Sequence, residues 1–180
     1  FFDISTGGIN SRGQIAGGYF DTASHGYLWD HHRGEFVTID VPRTLVYQLL
    51  QGQWASGINS QGEVVGLYSD SLGSHIYLAI PDKAVDMFGV VTELVSINRT
   101  GTDSGRAPDL TEYHGSFDPV VSANGRFVAF RSTATDLVKS STNGLGDVFM
   151  RDLETGTTTL VTVNRTGTGS SGRVTGEVMS

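Results

Sequence analysis

The residues best suited to chemistry lie in one long acidic loop in the middle of the chain. Its carboxylates are Asp103, Asp109, Glu112 and Asp118, with Tyr113 and His114 among them. Paired carboxylates can hydrolyse glycosidic bonds when a fold holds them at a suitable separation. A solvated loop accounts for the same composition. We therefore predict no catalytic residue and keep Tyr113 and His114 as candidate ligand-binding residues.

Oxygen ligands for a metal ion occur further along the chain, in Asp136, Asn143 and Asp147. Carboxylate and amide oxygens are the groups that Ca²⁺ prefers, so these three residues are the candidate calcium ligands. The chain contains no cysteine, which excludes disulfides and thiolate metal sites. Calcium is therefore the one cofactor that the residue types leave open, and we predict no other.

Two histidines, His25 and His75, precede predicted strands at the same place in two similar stretches. Such repetition favours a structural role in which the imidazole bonds to a turn carbonyl. A ligand-facing role is the alternative, so both are candidate ligand-binding residues. Trp29 directly precedes a turn, which favours exposure and makes it a further candidate. We expect Tyr19 and Tyr68 to pack between sheets.

The elements that must position these residues are organised around a predicted β-hairpin. Asn124-Gly125 lies between two apolar runs, and both turn residues are expected at positive φ. Gly13 and Gly62 mark two weaker copies of this turn, so the three turn glycines are 49 and then 63 residues apart. Superposing these glycines aligns Ile9, Ile58 and Val121 before the turn, and Ile15, Val64 and Phe127 after it.

Two further short strands follow each hairpin. They are predicted at 26–29 and 35–40 in the first unit, 75–80 and 90–97 in the second, and 147–152 and 157–163 in the third. Four short meandering strands at a period of roughly 40–65 residues are typical of propeller blades. The segment 44–54 fits a turn of helix or the start of a strand equally well.

Partial units are predicted at both ends of the chain. Residues 1–5 read as the last strand of a preceding blade, and the segment 98–102 recurs 66 residues later as 164–168. We therefore predict an all-β, propeller-type fold of about three four-stranded antiparallel blades plus partial blades at both ends. Residues 1–88 and 89–180 form the two parts of one continuous arc. Because the chain starts with Phe, we expect it to be an excised piece of a longer protein.

Composition excludes two classes of partner. The chain has 180 residues and a net charge of −7, and no cluster of Lys and Arg appears that could bind phosphates. We therefore predict no nucleic-acid partner. No apolar run approaches the roughly 18 residues that span a bilayer, so we predict no membrane span.

The first half of the chain resembles the HAF-type repeats of exported bacterial proteins, over about residues 1–85. The resemblance rests on Gly8-Ile9-Asn10 and His25-Gly26-Tyr27-Leu28, with Gly57-Ile58-Asn59 and His75 in the second unit. Ile76 departs from the glycine usual in that family. From about residue 92, the runs 122–132 and 147–153 resemble the TolB-like propeller repeat. The loop 139–144 lacks the acidic residue common there, which weakens the calcium prediction.

Both resemblances imply β-propellers in extracellular, periplasmic or cell-surface proteins that serve as scaffolds or binding surfaces. They imply a non-catalytic segment of an exported bacterial protein that binds a protein or a glycan. The alternative is part of a propeller enzyme, either glycan-active or beside a peptidase domain. A third class is a self-assembling repeat protein, because terminal half-blades would leave strand edges unpaired.

Overall fold

The computed structural model describes residues 4–42, 52–81, 90–107, 114–140 and 142–171. Over these residues the backbone forms strands, turns and loops without a helix, and the strands build three four-stranded antiparallel sheets. Each sheet is a meander in which consecutive strands pair, and the three sheets do not close into a barrel. The all-β prediction with three four-stranded units is therefore confirmed for the described part of the chain.

The strands follow the predicted order. Sheet 1 contains β1 (Ile4–Ile9), β2 (Gln14–Phe20), β3 (Ser24–Asp30) and β4 (Glu35–Ile39). Sheet 2 contains β5 (Gly52–Ile58), β6 (Val64–Asp70), β7 (Gly73–Pro81) and β8 (Val90–Leu94). Sheet 3 contains β9 (Ser116–Val121), β10 (Phe127–Ser132), β11 (Asp147–Asp152) and β12 (Thr157–Leu160).

The predicted assignment of residues 1–5 to a preceding blade is wrong for the residues that the structure describes. Ile4 and Ser5 belong to β1, where they pair with Tyr19 and Gly18 of β2 in the same sheet. The first sheet is therefore complete with its own four strands. Residues 1–3, most of the ambiguous segment 44–54, and residues 172–180 lie outside the described residues.

Glycine closes the first hairpin of every sheet. Gly13, Gly62 and Gly125 have φ of 72°, 89° and 73°, a region that residues with a side chain rarely adopt. Each glycine N–H donates to the carbonyl three residues earlier, at 2.9 to 3.2 Å. Asn124 does not share the positive φ, which corrects the expectation of two such residues. Each hairpin contains a four-residue β-turn that ends in a left-handed glycine, at 10–13, 59–62 and 122–125, and not a two-residue primed turn.

The third hairpin is one residue longer than the superposition predicted. Ile9 pairs with Ile15 and Ile58 pairs with Val64, but Val121 pairs with Val128 and not with Phe127. Because side chains alternate along a strand, this shift places Val128 in the core and turns Phe127 to the other face of the sheet. The aligned position is therefore Val128, and Phe127 is an insertion.

Two buried clusters join the sheets. The first contains Ala16, Leu28, Val37 and Ile39 of sheet 1 with Val64, Tyr68, Tyr77 and Ala79 of sheet 2. The second contains Val65, Ile76 and Leu78 of sheet 2 with Val128, Phe130, Phe149 and Leu160 of sheet 3. Sheet 2 is buried on both faces, which explains its consecutive apolar residues, whereas sheets 1 and 3 each have one face without a neighbouring sheet among the described residues.

The three hairpin turns also bond to one another. Asn10 Nδ2 donates to the Asn59 carbonyl at 2.9 Å, and Asn59 Nδ2 donates to the Ser122 carbonyl at 3.3 Å. Ser60 and Gln61 donate to the carbonyls of Ala123 and Asn124. These contacts join residues 49 and 63 positions apart, so they reproduce the sequence intervals between the turn glycines.

Replacing Asn59 should show that these contacts between turns stabilise the fold. Asn59 is 4% exposed, and besides the Ser122 carbonyl it contacts the Glu63 carboxylate and the N–H groups of Gln61 and Glu63. Removing these bonds leaves buried polar groups unsatisfied, so Asn59→Ala should lower the free energy of unfolding by about 2–3 kcal/mol. Urea denaturation followed by fluorescence measures the change.

Asn124→Ala is the matched control for this prediction. Asn124 occupies the third turn and is exposed, and its Oδ1 accepts hydrogen bonds from Arg126 N and Ser122 Oγ. Its replacement should cost less than about 1 kcal/mol because water can satisfy the freed groups. Equal losses for the two variants would contradict a special role for the buried asparagine.

Candidate functional site

One face of sheet 1 carries a cluster of apolar and aromatic side chains, which we call the aromatic face. It consists of Ile4, Ile15, Tyr19, Tyr27, Trp29 and Phe36, which line a cavity of about 350 Å³. The strand register explains the cluster: Ile4 lies opposite Tyr19, Ile15 opposite Trp29, and Trp29 opposite Phe36. Directly paired residues share one face of a sheet, so the register places all six together.

The rings of the aromatic face contact one another, and among the described residues the face is only partly open to solvent, since Tyr27 is buried and Tyr19 and Trp29 are half-buried. Tyr27 stacks on Phe36 with centroids 5.3 Å apart, and Tyr19 meets Phe36 edge-on at 5.7 Å. Tyr27 lies over Gly17, and its hydroxyl donates to the Ser5 carbonyl at 3.2 Å. Ile4 and Phe36 are nevertheless 67% and 55% exposed. Exposed apolar side chains grouped on one surface can mark an interaction site.

His25 lies at one end of the aromatic face, where it stacks on Tyr19 at 4.8 Å. Its Nδ1 contacts Asp40 Oδ1 at 2.7 Å and its Nε2 contacts Asp21 Oδ1 at 3.3 Å. Partial burial lowers the pKa of His25, but the hydrogen bond and charge of Asp40, together with Asp21, outweigh it and raise the pKa above its ordinary value. The imidazolium is thus held between two carboxylates.

This arrangement predicts a pH-dependent contribution of His25 to stability. Because the folded-state pKa is raised, the contribution is fully present below the unfolded pKa of about 6.5 and is lost as pH rises through the folded value. The wild type should therefore exceed His25→Asn in free energy of unfolding by more at about pH 5.5 than at about pH 8.5. The difference between the losses at the two pH values should stay below about 1 kcal/mol, because the site is partly solvated. Urea denaturation at both pH values measures it.

Asp40→Asn provides the control for the pH prediction. The Asp40 carboxylate also accepts a hydrogen bond from Gln53 Nε2 at 2.6 Å, and an amide oxygen can keep that bond. The variant therefore removes the charge beside His25 and should weaken the pH dependence. If it retains the full wild-type pH dependence, Asp40 is not the cause.

His75 occupies the corresponding place in sheet 2 but is buried. Its Nε2 contacts Asp70 Oδ1 at 3.0 Å, and both side chains are 2% exposed. Its Nδ1 has no hydrogen-bond partner among the described residues, and Ser96 stands at the strand position that Asp40 holds in sheet 1. Both histidines therefore bond to carboxylates, not to the expected turn carbonyl. Their ligand-binding role stays a prediction.

Only part of the acidic loop lies in the described region. The His114 carbonyl accepts the Ser74 N–H at 3.3 Å. Asp103 pairs with Arg106 at 3.0 Å, and Asp118 pairs with Arg131 at 3.1 Å. The predicted residues Asp109, Glu112 and Tyr113 lie outside the described residues, so ligand binding by Tyr113 and His114 stays a prediction.

The three candidate calcium ligands make separate internal contacts. Asp147 Oδ1 accepts the Thr162 hydroxyl at 2.8 Å, and Asp147 is 1% exposed. Asp136 Oδ1 accepts Arg106 N at 2.7 Å, and Asn143 Oδ1 accepts Leu145 N at 2.9 Å. In the part of the chain that the structure describes, no three His, Asp or Glu residues converge as metal ligands. The calcium site stays a prediction.

Of the predicted site residues that the structure describes, only Trp29 and His25 lie at the aromatic face, Trp29 within it and His25 at its end. Tyr68 packs between sheets as expected, but Tyr19 lies on the aromatic face. The remaining members of that face, Tyr27, Phe36, Ile15 and Ile4, were not singled out by the sequence. Their signal is the alternation of side chains along each strand, which predicts that they share a face. It does not predict that this face has no neighbouring sheet among the described residues.

In its described part, the chain is a β-repeat protein of three meander sheets. No protein-family model and no curated protein matches it. Among the described residues, no helix has the length and apolar character required to cross a membrane.

Proposed function

We propose that this chain is a non-catalytic binding and scaffolding segment of the β-propeller type, and that its aromatic face docks against a blade of a second copy. The observation that carries the proposal is the equivalence between this open face and the buried face of sheet 2. The resemblance to HAF-type and TolB-like repeats supports placing the segment in an exported bacterial protein.

The equivalence extends residue by residue through the strand pairings. Gly17 pairs with Tyr27 and Tyr19 with His25 in sheet 1, just as Gly66 pairs with Tyr77 and Tyr68 with His75 in sheet 2. The sheet 2 residues pack against the aliphatic face of sheet 1. The aromatic face therefore presents to solvent the surface that the next sheet uses for packing. An aliphatic sheet face fits it better than a glycan does, because its cavity is lined by apolar residues and tyrosine rings only.

Sheet 3 offers such a face on its outer side. Ala129, Met150 and Thr159 lie in one cross-strand row, at the positions that Ala16, Leu28 and Val37 occupy in sheet 1. Val120 lies opposite Ala129 in the same row and is 66% exposed. Docking the aromatic face of one copy on this row in another repeats the packing of sheets 1 and 2. The contact is head-to-tail, so it generates closed rings or open chains.

The test is the solution mass of wild type and two charge variants by light scattering at increasing protein concentration. Wild type should form concentration-dependent oligomers. Phe36→Asp places a charge in the aromatic face, and Met150→Asp places a charge in the outer face of sheet 3. Each charge would be buried without a partner in the contact, so each variant should be monomeric alone. Mixing them should give dimers and nothing larger, because each variant retains one intact face.

Leu145→Asp is the control, since Leu145 is 59% exposed in the loop before β11 and belongs to neither face. It should assemble like wild type. A monomeric wild type at all concentrations, or a mixture of the two face variants that stays monomeric, would overturn the proposed docking.

A further inference from the structure

A second cavity, about 570 Å³ in volume, lies between the loop that follows β8 and sheet 3, and it shares no lining residue with the aromatic face. Its walls are the loop 98–101, the segment 137–140 and the segment 156–160, which includes β12. Leu137, Leu160 and Val163 contribute apolar surface. We call this cavity the basic groove, because its charged lining residues are Arg99, Lys139 and Arg151.

The charge of the groove is opposite to that of the chain. The net charge is −7, yet the described residues that line the groove include three cations and no carboxylate. Arg99 and Lys139 are exposed, while Arg151 is half-buried and its guanidinium donates to Thr158 Oγ1 at 3.1 Å. The ion pairs formed within the described residues include none of the three. Partial burial lowers the pKa of Arg151, as expected for a cation without a neighbouring anion.

The groove is also bordered by a strand edge. Among the described residues, β12 is the terminal strand of sheet 3 and pairs with β11 on one side only. Its residues Thr157–Leu160 line the groove. The outer edge of a terminal strand presents backbone N–H and carbonyl groups, and an extended peptide can add to it as a further strand.

The opposite wall is fixed by hydrogen bonds. Arg99 N donates to the Asp136 carbonyl at 2.9 Å, and Arg106 N donates to the Asp136 carboxylate at 2.7 Å. Gly101 closes the loop at a φ of 73°, and its N–H donates to the Asn98 carbonyl at 2.9 Å. Arg99 is therefore held on a defined turn at the side of the groove.

We propose that the basic groove binds an extended acidic peptide, which pairs with the outer edge of β12 and places its carboxylates beside Arg99, Lys139 and Arg151. Strand pairing supplies the backbone contacts, and the three cations select acidic side chains. A polyanionic glycan would use the cations but not the strand edge.

The duplicated loop 164–168 supplies a matched control. It has the same Asn-Arg-Thr-Gly-Thr sequence as 98–102, and Gly167 N donates to the Asn164 carbonyl at 2.9 Å as Gly101 does to Asn98. Thr168 N bonds to Asn164 Oδ1 as Thr102 N bonds to Asn98 Oδ1. Arg165 therefore sits on the same turn as Arg99, but it does not line the groove.

The experiment measures fluorescence anisotropy of a labelled alternating Glu-Val peptide of about six residues, the usual length of a strand. The peptide should bind at low salt and weaken as salt is added, and a Gln-Val peptide should bind much less. Arg99→Gln and Lys139→Gln should each lower the affinity about threefold, as expected for exposed charge pairs. Arg165→Gln should leave it unchanged, and N-methylation of alternate peptide nitrogens should weaken binding.

Three results would overturn the proposal. Absence of binding does so directly, and an equal loss for Arg165→Gln and Arg99→Gln would mean that charge alone attracts the peptide. Equal binding of the N-methylated peptide would exclude pairing with β12. Polygalacturonate is the glycan probe, and if it binds with dependence on Arg99 and Lys139 while the peptide does not, the groove takes an acidic glycan instead.

Discussion

Gly66→Ala should lower the free energy of unfolding by about 3 kcal/mol or more, the upper range for overpacking a buried site. A methyl group on Gly66 would overlap the Trp54 carbonyl oxygen on one side and the Tyr77 ring on the other. The backbone oxygen cannot move without separating β5 from β6, and Tyr77 is fully buried against sheet 1. For a chain of this size the melting temperature should fall by about 6–12 °C. Thermal denaturation by circular dichroism measures it.

Gly57→Ala is the matched control in the same sheet. A methyl group there meets only Val65 Cγ2, at the ordinary contact distance of 3.5 Å. Gly57 also lies in a strand, where alanine has less conformational entropy to lose than glycine. The variant should therefore be as stable as wild type or slightly more stable. If both variants lose equal stability, the close approach of Trp54 and Tyr77 is not the cause.

The repeated turn could be read from the sequence because glycine adopts its positive φ more readily than residues with a side chain. Gly13, Gly62 and Gly125 mark three turns, and asparagine side chains of one turn donate hydrogen bonds to backbone carbonyls of the next, at the intervals that the sequence shows. Asn124 was expected to share the positive φ, but it does not. An Asn-Gly pair suits both a two-residue primed turn and a longer connection that ends in a left-handed glycine, and only the strand register distinguishes the two.

The single inserted residue before Val128 could not be read from the sequence. Phe127 and Val128 are both apolar, and each fits the inward position after the turn glycine. The choice between them depends on the pairing with Val121 and on the neighbouring sheet, which are contacts between distant parts of the chain. The same limitation explains why Ile4 and Ser5 were assigned to the wrong sheet.

The aromatic face shows most clearly where local sequence stops being informative. Tyr19 and Tyr68 stand at the same place in two repeats and predict the same burial. Tyr68 is fully buried because sheet 1 covers it, whereas the described residues provide no sheet over Tyr19. Whether a repeated face is covered depends on whether another sheet packs against it. The sequence of a single repeat does not contain that information.

The second large effect is expected for Phe149→Ala in the core between sheets 2 and 3. Phe149 is fully buried and stacks on Phe130, with ring centroids 5.9 Å apart. Removing the ring leaves a cavity that the flanking sheets can fill only in part, so the free energy of unfolding should fall by about 3–5 kcal/mol. Phe127→Ala is the control, since Phe127 is half-buried beneath the Arg126 guanidinium, and it should cost about 1 kcal/mol. Urea denaturation measures both.

A double variant tests whether sheets 2 and 3 pack in the same way at equivalent positions. Phe130 pairs with Phe149 in sheet 3, and Gly66 pairs with Tyr77 at the equivalent place in sheet 2. Two rings therefore occupy this position in sheet 3, whereas a single ring over a glycine occupies it in sheet 2. Phe130→Gly combined with Phe149→Tyr recreates the sheet 2 pair. Because the two positions are in contact, the double variant should be more stable than the sum of the single losses predicts, by about 1 kcal/mol or more. Strict additivity would mean that the two sheets share their topology but not their packing.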